Sequence, residues 1–443
     1  MASLSILVTL STPRSVIVIG PGPAGLTAAY RLTLQGHRVT VVSQSSALGE
    51  HLRREGDPPL AILGCHHATW SLLRSLGITP MPTTFHNASL EFLLPNGRLA
   101  RYPTSQLPAP LHQLITIGQF AALSWGERWK LLSWLEQLWE GALQLAADLE
   151  HRTAQDWFES LGHSQSTIQT VWHPLAQWLT GNDLRNLSAD AFVAAAKPIF
   201  LSRGADNRIC VPRQPWHHMF VQPVADRLQQ AGATLLLDTR AMQFQFEHER
   251  ITGVRVQDGR ILQADWYIAA VAHHQLTPLL PERWLTRYAY FQQIAELTTT
   301  PFTVIQVRTA QTVHASRHIM MGTGPFPWMV CKPSEADKSL VAVLTIPPDQ
   351  STIDTQEQVS ALLRSLALLQ PDSQLTSFRQ HEVAHAVLGL QPGTKARRPI
   401  QLSPIPNLLL AGAWTDTGWP AILESAIISG ERCAEIINGR KPV

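Results

Sequence analysis

Three glycines near the start of the chain have the spacing of a dinucleotide-binding turn. They follow the apolar run Ser15–Ile19 in the pattern G-x-G-x-x-G. In this pattern the first glycine permits a tight turn, the second lets the backbone approach a pyrophosphate, and the third lets a helix pack against the strand. The amide groups and the positive end of that helix then bind the phosphates. The predicted cofactor-binding residues of this turn are Gly20, Gly22, Pro23, Ala24 and Gly25.

Apolar runs on both sides of the glycines supply the elements that such a site requires. A helical pattern continues to Leu34, and a second strand-like run extends from Arg38 to Val42. This strand–turn–helix–strand context is what makes the glycine pattern meaningful. The alternative is an ordinary βαβ turn with three incidental glycines. An acidic residue usually follows the second strand and binds the ribose. This chain has Ser43 there, which can form hydrogen bonds but brings no charge.

One histidine pattern suggests a different chemistry. His381, Glu382 and His385 match H-E-x-x-H, which on a helix would place two zinc ligands and a general base on one face. The pattern lacks the glycine and third histidine that usually extend it. Other histidines occur as adjacent pairs, which do not face the same way on a helix or strand. We therefore predict no metal site and keep a zinc protease only as a remote alternative.

Composition excludes several classes of protein. The 443 residues are 45% hydrophobic and 15% charged, with a formal net charge of +2, so we expect no nucleic-acid partner. The four cysteines are far apart in sequence, as in a protein with reduced thiols. The first ten residues are too short and lack the basic start of a signal peptide, and no apolar run is long enough to span a bilayer. We expect a cytoplasmic protein, with peripheral binding to the inner face of the membrane left open.

Half of the 14 tryptophans lie between Trp125 and Trp178. Trp125, Trp129 and Leu132 recur at helical spacing, a pattern continued by Trp139 and Leu143. One interpretation is a bulky core; the other is a surface for an apolar ligand or a membrane interface. The sequence leaves both open.

The order of elements predicts an α/β protein interrupted by insertions. Residues 61–204 are mostly helical in pattern, apart from a hairpin around Asn96-Gly97. Short strands resume after Pro212. The chain ends with the strand-like run Asn407–Gly412 and a helical pattern over Pro420–Ile437. These terminal elements would complete a domain that begins at Ser15.

With these features the chain resembles the flavin amine oxidase and phytoene desaturase superfamily, and within it the hydroxysqualene dehydroxylases. The resemblance covers nearly the whole chain, and its most specific part is Ala411–Ala421, followed by Glu424–Gly430. The stretches that support the narrower match are Leu107–His112, Trp172–Leu175, Leu187–Phe192 and Arg208–Pro212.

The resemblance implies a Rossmann-like FAD-binding domain of amine oxidase type, assembled from residues 12–60, 205–275 and 395–440. It implies a largely helical, mixed substrate domain from residues 61–204 and 276–394. The implied reaction is reductive removal of the hydroxyl of hydroxysqualene, an apolar C30 isoprenoid, to give squalene. Asp416 and His66 are the implied catalytic candidates. Further implied FAD contacts are Ser43, Gly49, Gly412, Asp416, Gly418, Pro420 and Ala421.

Three positions depart from the family pattern. Ser43 replaces a ribose-binding glutamate, Gly49-Glu50-His51 replaces Gly-Gly-Arg, and Ala413 replaces an aspartate after Gly412. These changes predict a weaker hold on FAD. The alternatives are therefore a carotenoid-type desaturase on the same fold and a cofactor-poor homologue that binds an isoprenoid without turnover. The oligomeric state is left open.

Overall fold

The computed structural model describes residues 12–49, 61–79, 85–102, 111–139, 148–201, 204–312, 318–322, 324–333, 339–346, 355–366, 368–369 and 374–439. Its strands are β1 (Ser15–Ile19), β2 (Arg38–Val42), β3 (Ile62–Leu63), β4 (Phe85–Leu93), β5 (Leu99–Arg101), β6 (Ile209–Pro212), β7 (Thr234–Leu236), β8 (Ala241–Glu247), β9 (Arg250–Val256), β10 (Ile261–Leu262), β11 (Trp266–Ala269), β12 (Thr299–Thr312), β13 (His318–Met321), β14 (Trp328–Pro333), β15 (Ser339–Ile346), β16 (Leu375–Leu388) and β17 (Leu408–Leu410).

Its α-helices are α1 (Pro23–Leu34), α2 (His67–Ser75), α3 (Leu111–Gln119), α4 (Trp125–Trp139), α5 (Ala154–Ser160), α6 (Gln165–Thr167), α7 (His173–Thr180), α8 (Ala189–Leu201), α9 (Gln222–Gln230), α10 (His273–Leu276), α11 (Glu282–Arg287), α12 (Ala289–Ala295), α13 (Thr355–Ser365), α14 (Thr394–Arg397) and α15 (Leu423–Ile437). Two π-helical turns, Ile168–Trp172 and His217–Val221, lead into α7 and α9.

A five-stranded sheet brings together three distant parts of the chain. Its order is β17-β11-β1-β2-β7, and every pairing is parallel. Four of the five residues of β1 are buried, because helices cover both faces of such a sheet. The sheet confirms the predicted strand–helix–strand unit and the return of the C-terminal strand to it.

Helices α1 and α15 pack against each other at close range. A Cβ atom on Gly430 of α15 would overlap the carbonyl oxygen of Ala24 and lie 3.1 Å from the backbone nitrogen of Ala28. A glycine is therefore required at this crossing. The contact fixes the last helix against the first turn of α1, where the glycine pattern lies.

A second, nine-stranded mixed sheet has the order β16-β12-β15-β14-β13-β4-β6-β3, with β5 paired to β4. Strand β6 belongs to this sheet although it lies within the predicted 205–275 segment. The predicted domain boundaries otherwise stay a prediction. Strands β8, β9 and β10 form a separate antiparallel sheet.

The H-E-x-x-H stretch lies within β16, so the helix that a zinc site of this type needs does not form. His381 pairs with Val304 of β12, and the ring of His385 stacks on His274 with centroids 4.1 Å apart. Within the described ranges, no group of three or more histidine, cysteine or acidic side chains could hold a metal ion.

Helix α4 divides the tryptophan-rich segment between two environments. Leu131 and Trp134 are buried, with Trp134 packed edge-on against Trp157. Trp125 and Trp129 are each 71% exposed. The core interpretation is therefore wrong for Trp125 and Trp129, because the buried face of α4 follows residues 127, 131 and 134 instead.

Candidate cofactor and substrate site

The first glycine turn presents an uncapped helix N-terminus. Gly20 adopts a φ of +106° and donates its N–H to Val42 of β2 at 3.0 Å, so the turn is fixed against the second strand. Gly22 is the N-cap of α1, no side chain caps the helix, and Pro23 begins it. The first turn of α1 contains no acidic residue. This end of α1 is therefore suited to a bound anion.

Ser43 lies at the tip of β2, beside the glycine turn, and is buried. Its hydroxyl donates to the Ser45 carbonyl at 3.1 Å and accepts from the Ser45 N–H at 3.2 Å. The tip of β2 is thus polar but uncharged. Gly49 is buried against Val221, which a Cβ atom would approach to 2.6 Å. Glu50 and His51 lie outside the described residues.

The loop between β17 and α15 is held by one half-buried arginine. The guanidinium of Arg398 donates to the carbonyls of Ala413 at 3.0 Å, Thr415 at 2.6 Å and Trp419 at 2.8 Å. Burial lowers the pKa of Arg398, and the charge of Asp416 opposes that shift. Sequence reasoning did not identify Arg398 as a positioning residue. Its position ahead of the C-terminal block was visible, but its carbonyl partners were not.

Within this loop, Asp416 closes a turn rather than capping a helix. Its Oδ1 accepts from the Gly418 N–H at 3.1 Å, while α15 begins later, after an N-cap at Ile422. Asp416, Gly418 and Pro420 line a polar pocket that also includes Lys395. Ala421 is half-buried between this pocket and α15. Gly412 donates to the Ser429 hydroxyl at 2.9 Å, which connects the loop to α15.

Glu424 of α15 joins the C-terminal block to the start of α2. Its carboxylate accepts from the backbone N–H groups of Ala68 at 2.8 Å and Thr69 at 2.9 Å, and from the Thr69 hydroxyl. Helix α2 has no side-chain cap of its own, so Glu424 supplies it. This contact places His66, the residue before α2, beside the C-terminal loop.

His66 lies between that loop and an apolar pocket. Its ring meets Trp419 edge-on, with centroids 5.5 Å apart, and its Nδ1 accepts from the Leu63 N–H at 3.3 Å. Burial lowers the pKa of His66 to about 3, so the ring is neutral at neutral pH. With Nδ1 accepting, the proton resides on Nε2, which is buried and has no partner among the described protein atoms.

The apolar pocket lies between the nine-stranded sheet and the helical layer. The free space between its walls is about 650 Å³ when the open mouth is counted. Strand residues such as Leu63 and Phe92 form one wall, and Leu131, Trp172 and Leu175 form the helical wall. The site residues predicted from sequence therefore divide into two groups: the glycine turn with Ser43, and the C-terminal loop with His66 beside the apolar pocket.

The donors of these residues fit the pyrophosphate of an FAD molecule. The carboxylate that related proteins carry at the position of Ala413 is missing. The uncapped start of α1 offers free donors to a pyrophosphate, and the unpartnered Nε2–H of His66 offers one more donor beside the C-terminal loop. Ala413 carries no carboxylate; its carbonyl accepts instead from Arg398 and Ser425. No helix in the described part of the chain is long and apolar enough to cross a membrane.

Comparisons with known proteins identify the family of this chain. The family model described as flavin containing amine oxidoreductase matches residues 23–438. A probable zeta-carotene desaturase of Synechococcus elongatus is 26% identical, over 95% of this chain and 98% of that protein. A 15-cis-phytoene desaturase of Glycine max is 23% identical, over 96% of this chain and 79% of that protein.

Solved structures share the fold at low identity. Putrescine oxidase bound to putrescine superimposes with a TM-score of 0.73 at 15% identity, over 97% of this chain and 99% of the other. Cyclohexylamine oxidase from Brevibacterium oxydans gives 0.70 at 18% identity, over 96% and 99%. These structures confirm the predicted amine oxidase-type α/β fold, and the family model confirms FAD as the cofactor. The chain belongs to the flavin-containing amine oxidoreductase family.

Proposed function

We propose that this FAD-dependent oxidoreductase acts on an apolar C30 isoprenoid and removes the hydroxyl of hydroxysqualene to give squalene. The observation that carries the proposal is the apolar pocket joined to the C-terminal loop through Leu63, His66 and Trp419. The narrower resemblance supports it, because Trp172 and Leu175 of the stretch Trp172–Leu175 line that pocket.

The proposed cofactor contacts follow the uncapped helix and the C-terminal loop. The glycine turn, with Gly20, Gly22 and the first turn of α1, would hold the pyrophosphate, and Ser43 would contact the ribose. The loop would contact the remainder of FAD; its proposed residues, together with Gly49, are Gly412, Asp416, Gly418, Pro420 and Ala421. Reduced FAD supplies a hydride when bound.

In the proposed reaction the C–O bond of the alcohol breaks and a C–H bond forms at the same carbon. The hydroxyl leaves as water after gaining a proton, so the chain must orient the alcohol and exclude solvent. Asp416 is the proposed acid. Because His66 is neutral, we propose for it a hydrogen-bond donor through Nε2 rather than a charged acid.

Anaerobic incubation of the photoreduced holoprotein with hydroxysqualene tests this function. Squalene formed in proportion to reoxidised flavin is the expected result. A purified protein that is colourless and gains no flavin absorbance with added FAD would contradict both flavin reactions and favour a binding protein without turnover.

Desaturation of a carotenoid-type polyene is the second candidate. The similarity to zeta-carotene and phytoene desaturases favours it. That reaction would need FAD as the oxidant, so the holoprotein would be incubated with 15-cis-phytoene while the cofactor is oxidised. A longer conjugated polyene, detected by its absorbance, would select this function over dehydroxylation.

We also propose that the protein binds a membrane surface through α3 and α4. The exposed apolar side chains of this surface are Leu114, Ile115, Trp125 and Trp129. Arg128 lies over the ring of Trp125, 4.6 Å from its centroid, and Lys130 follows Trp129. Tryptophans with neighbouring cations favour the membrane interface. Since Leu131 of α4 lines the apolar pocket, the surface lies across one helix from the proposed substrate site.

A further inference from the structure

Two residues that line the apolar pocket each carry a buried polar atom that no described protein group satisfies. These atoms are the indole Nε1 of Trp172 and the amide Oδ1 of Asn207. Trp172 is 1% exposed and Asn207 is 6% exposed, and both residues line the pocket. A buried polar atom without a partner is costly and uncommon, so each calls for a physical explanation.

The two atoms are complementary in kind. An indole N–H can only donate, and an amide oxygen can only accept. A hydroxyl group placed between them would do both at once: its oxygen would accept from Trp172 and its hydrogen would be donated to Asn207. The second lone pair of that oxygen remains for an acid. A hydrocarbon offers neither interaction, and a ketone offers only the acceptor.

The backbone at Trp172 supports a functional reason for this placement. Trp172 ends the π-helical turn Ile168–Trp172, which runs directly into α7 at His173. A π-helical turn inserts a residue into the regular helix and is retained mainly where it positions a functional side chain. Here it places Val171 and Trp172 on the pocket wall. Stacking of Phe158 on the Trp172 ring, with centroids 4.6 Å apart, fixes the indole plane.

We propose that Trp172 and Asn207 form a hydroxyl-binding pair that makes the pocket select an isoprenoid alcohol over the corresponding hydrocarbon. The inference rests on the proposed function in one respect, since it takes this pocket as the substrate site. It assigns to these two residues the recognition of the oxygen, while the apolar walls hold the chain. In a dry pocket a hydrogen bond is stronger than in water, so one hydroxyl can determine selectivity.

Binding to the oxidised holoprotein, in which reductive turnover does not occur, tests the pair directly. Dissociation constants for hydroxysqualene and squalene are measured in the same detergent micelles. The wild type should prefer the alcohol by about tenfold or more. Trp172→Phe and Asn207→Leu should each reduce that preference by about fivefold, the equivalent of one hydrogen bond, and leave squalene binding within about twofold.

Trp284→Phe is the matched control. The Trp284 indole nitrogen is also buried without a described partner, but Trp284 packs against Phe246 and Phe291, away from the pocket walls. Its variant should keep the alcohol preference. All three substitutions remove a buried unsatisfied polar atom, but the two Trp→Phe changes also leave a small cavity, so the melting temperature of each variant is measured and affinities are compared only between folded variants. A folded Trp172→Phe variant therefore remains informative if Asn207→Leu loses stability.

Equal affinity of the wild type for both ligands would overturn the inference, as would a preference that persists in both pocket variants. The result of this binding test can be distinguished from the result of the turnover test of the proposed function. Preferential alcohol binding without squalene formation by the reduced enzyme would contradict the function and support the pair. Squalene formation without an alcohol preference would support the function and contradict the pair.

Discussion

The carboxylate of Glu424 caps the helix that begins beside Thr69, although the two residues are 355 positions apart. Glu424 Oε2 accepts from the Thr69 N–H at 2.9 Å and from its hydroxyl at 2.5 Å. Burial raises the pKa of Glu424, and the hydrogen bonds from Thr69 and Ala68 oppose that shift. The contact fixes α15 to α2, and so determines where His66 lies.

Glu424→Gln should lower the free energy of unfolding by about 1–3 kcal/mol, because an amide replaces a charged acceptor of buried N–H groups. Chemical denaturation at neutral pH measures the loss. The control on the same helix is Glu431→Gln, which removes a half-exposed ion pair with Arg31 and should cost at most about 1 kcal/mol. Equal losses in the two variants would contradict the capping role.

Gly430→Ala should destabilise the protein by about 1–3 kcal/mol, because the new methyl group would overlap the Ala24 carbonyl and force α15 away from α1. The same displacement should weaken FAD binding, measured by flavin fluorescence. Gly118→Ala is the control: Gly118 is also helical, but its Cβ would meet nothing within 4 Å. That variant should be as stable as the wild type or more stable.

His66 should make the protein less stable as the pH falls. Its folded pKa is about 3, below the ordinary 6.5, so the unfolded state binds the proton first. The stability contribution is complete above pH 6.5 and is lost as the pH falls towards 3, at up to about 1.4 kcal/mol per pH unit. Unfolding free energies of the wild type and His66→Gln, compared from pH 7.5 to 5, should therefore converge or cross as the pH falls. A constant difference would exclude a depressed pKa.

Ser43→Glu should tighten FAD binding by about tenfold, because a carboxylate at the tip of β2 can accept hydrogen bonds from the ribose. The apparent dissociation constant is measured by reconstituting apoprotein with FAD. Gln44→Glu adds the same charge at the next, exposed position and should leave the affinity nearly unchanged. An equal effect of both substitutions would point to general electrostatics, and no effect of either would contradict the proposed ribose contact.

Trp125→Ala combined with Trp129→Ala should reduce binding to vesicles of phosphatidylcholine and phosphatidylglycerol by about tenfold or more, because two exposed indoles no longer enter the interface. Sedimentation with vesicles measures the bound fraction. The double control Leu34→Ala and Ile400→Ala removes comparably exposed apolar side chains elsewhere, and should bind as the wild type does. Stability should be unchanged in both, since all four residues lie at the surface.

The local elements were largely predictable from the sequence. The strand ending at Ile19, the turn glycines and the helix to Leu34 all follow from local properties of the sequence. These are the spacing of apolar residues and the backbone conformations that glycine allows. Thr153 caps α5 by the same kind of local contact, since its hydroxyl accepts from the Asp156 N–H at 3.1 Å. The stretch His381–His385 shows the limit of this approach. Its sequence matches a zinc-binding helix, but it forms part of strand β16 because it pairs with β12.

The sequence by itself determined the strand–turn–helix unit, the α/β class and the resemblance that implied FAD, since each depends on residues close together in the chain. Tertiary structure alone decided that Glu424 caps α2, that Arg398 holds the C-terminal loop, and that Trp172 and Asn207 line the same pocket. It also decided that Trp125 faces solvent while Trp134 is buried. The spacing of apolar residues specifies which side chains share one face of a helix. Whether that face is buried depends on residues from a distant part of the chain that pack against it.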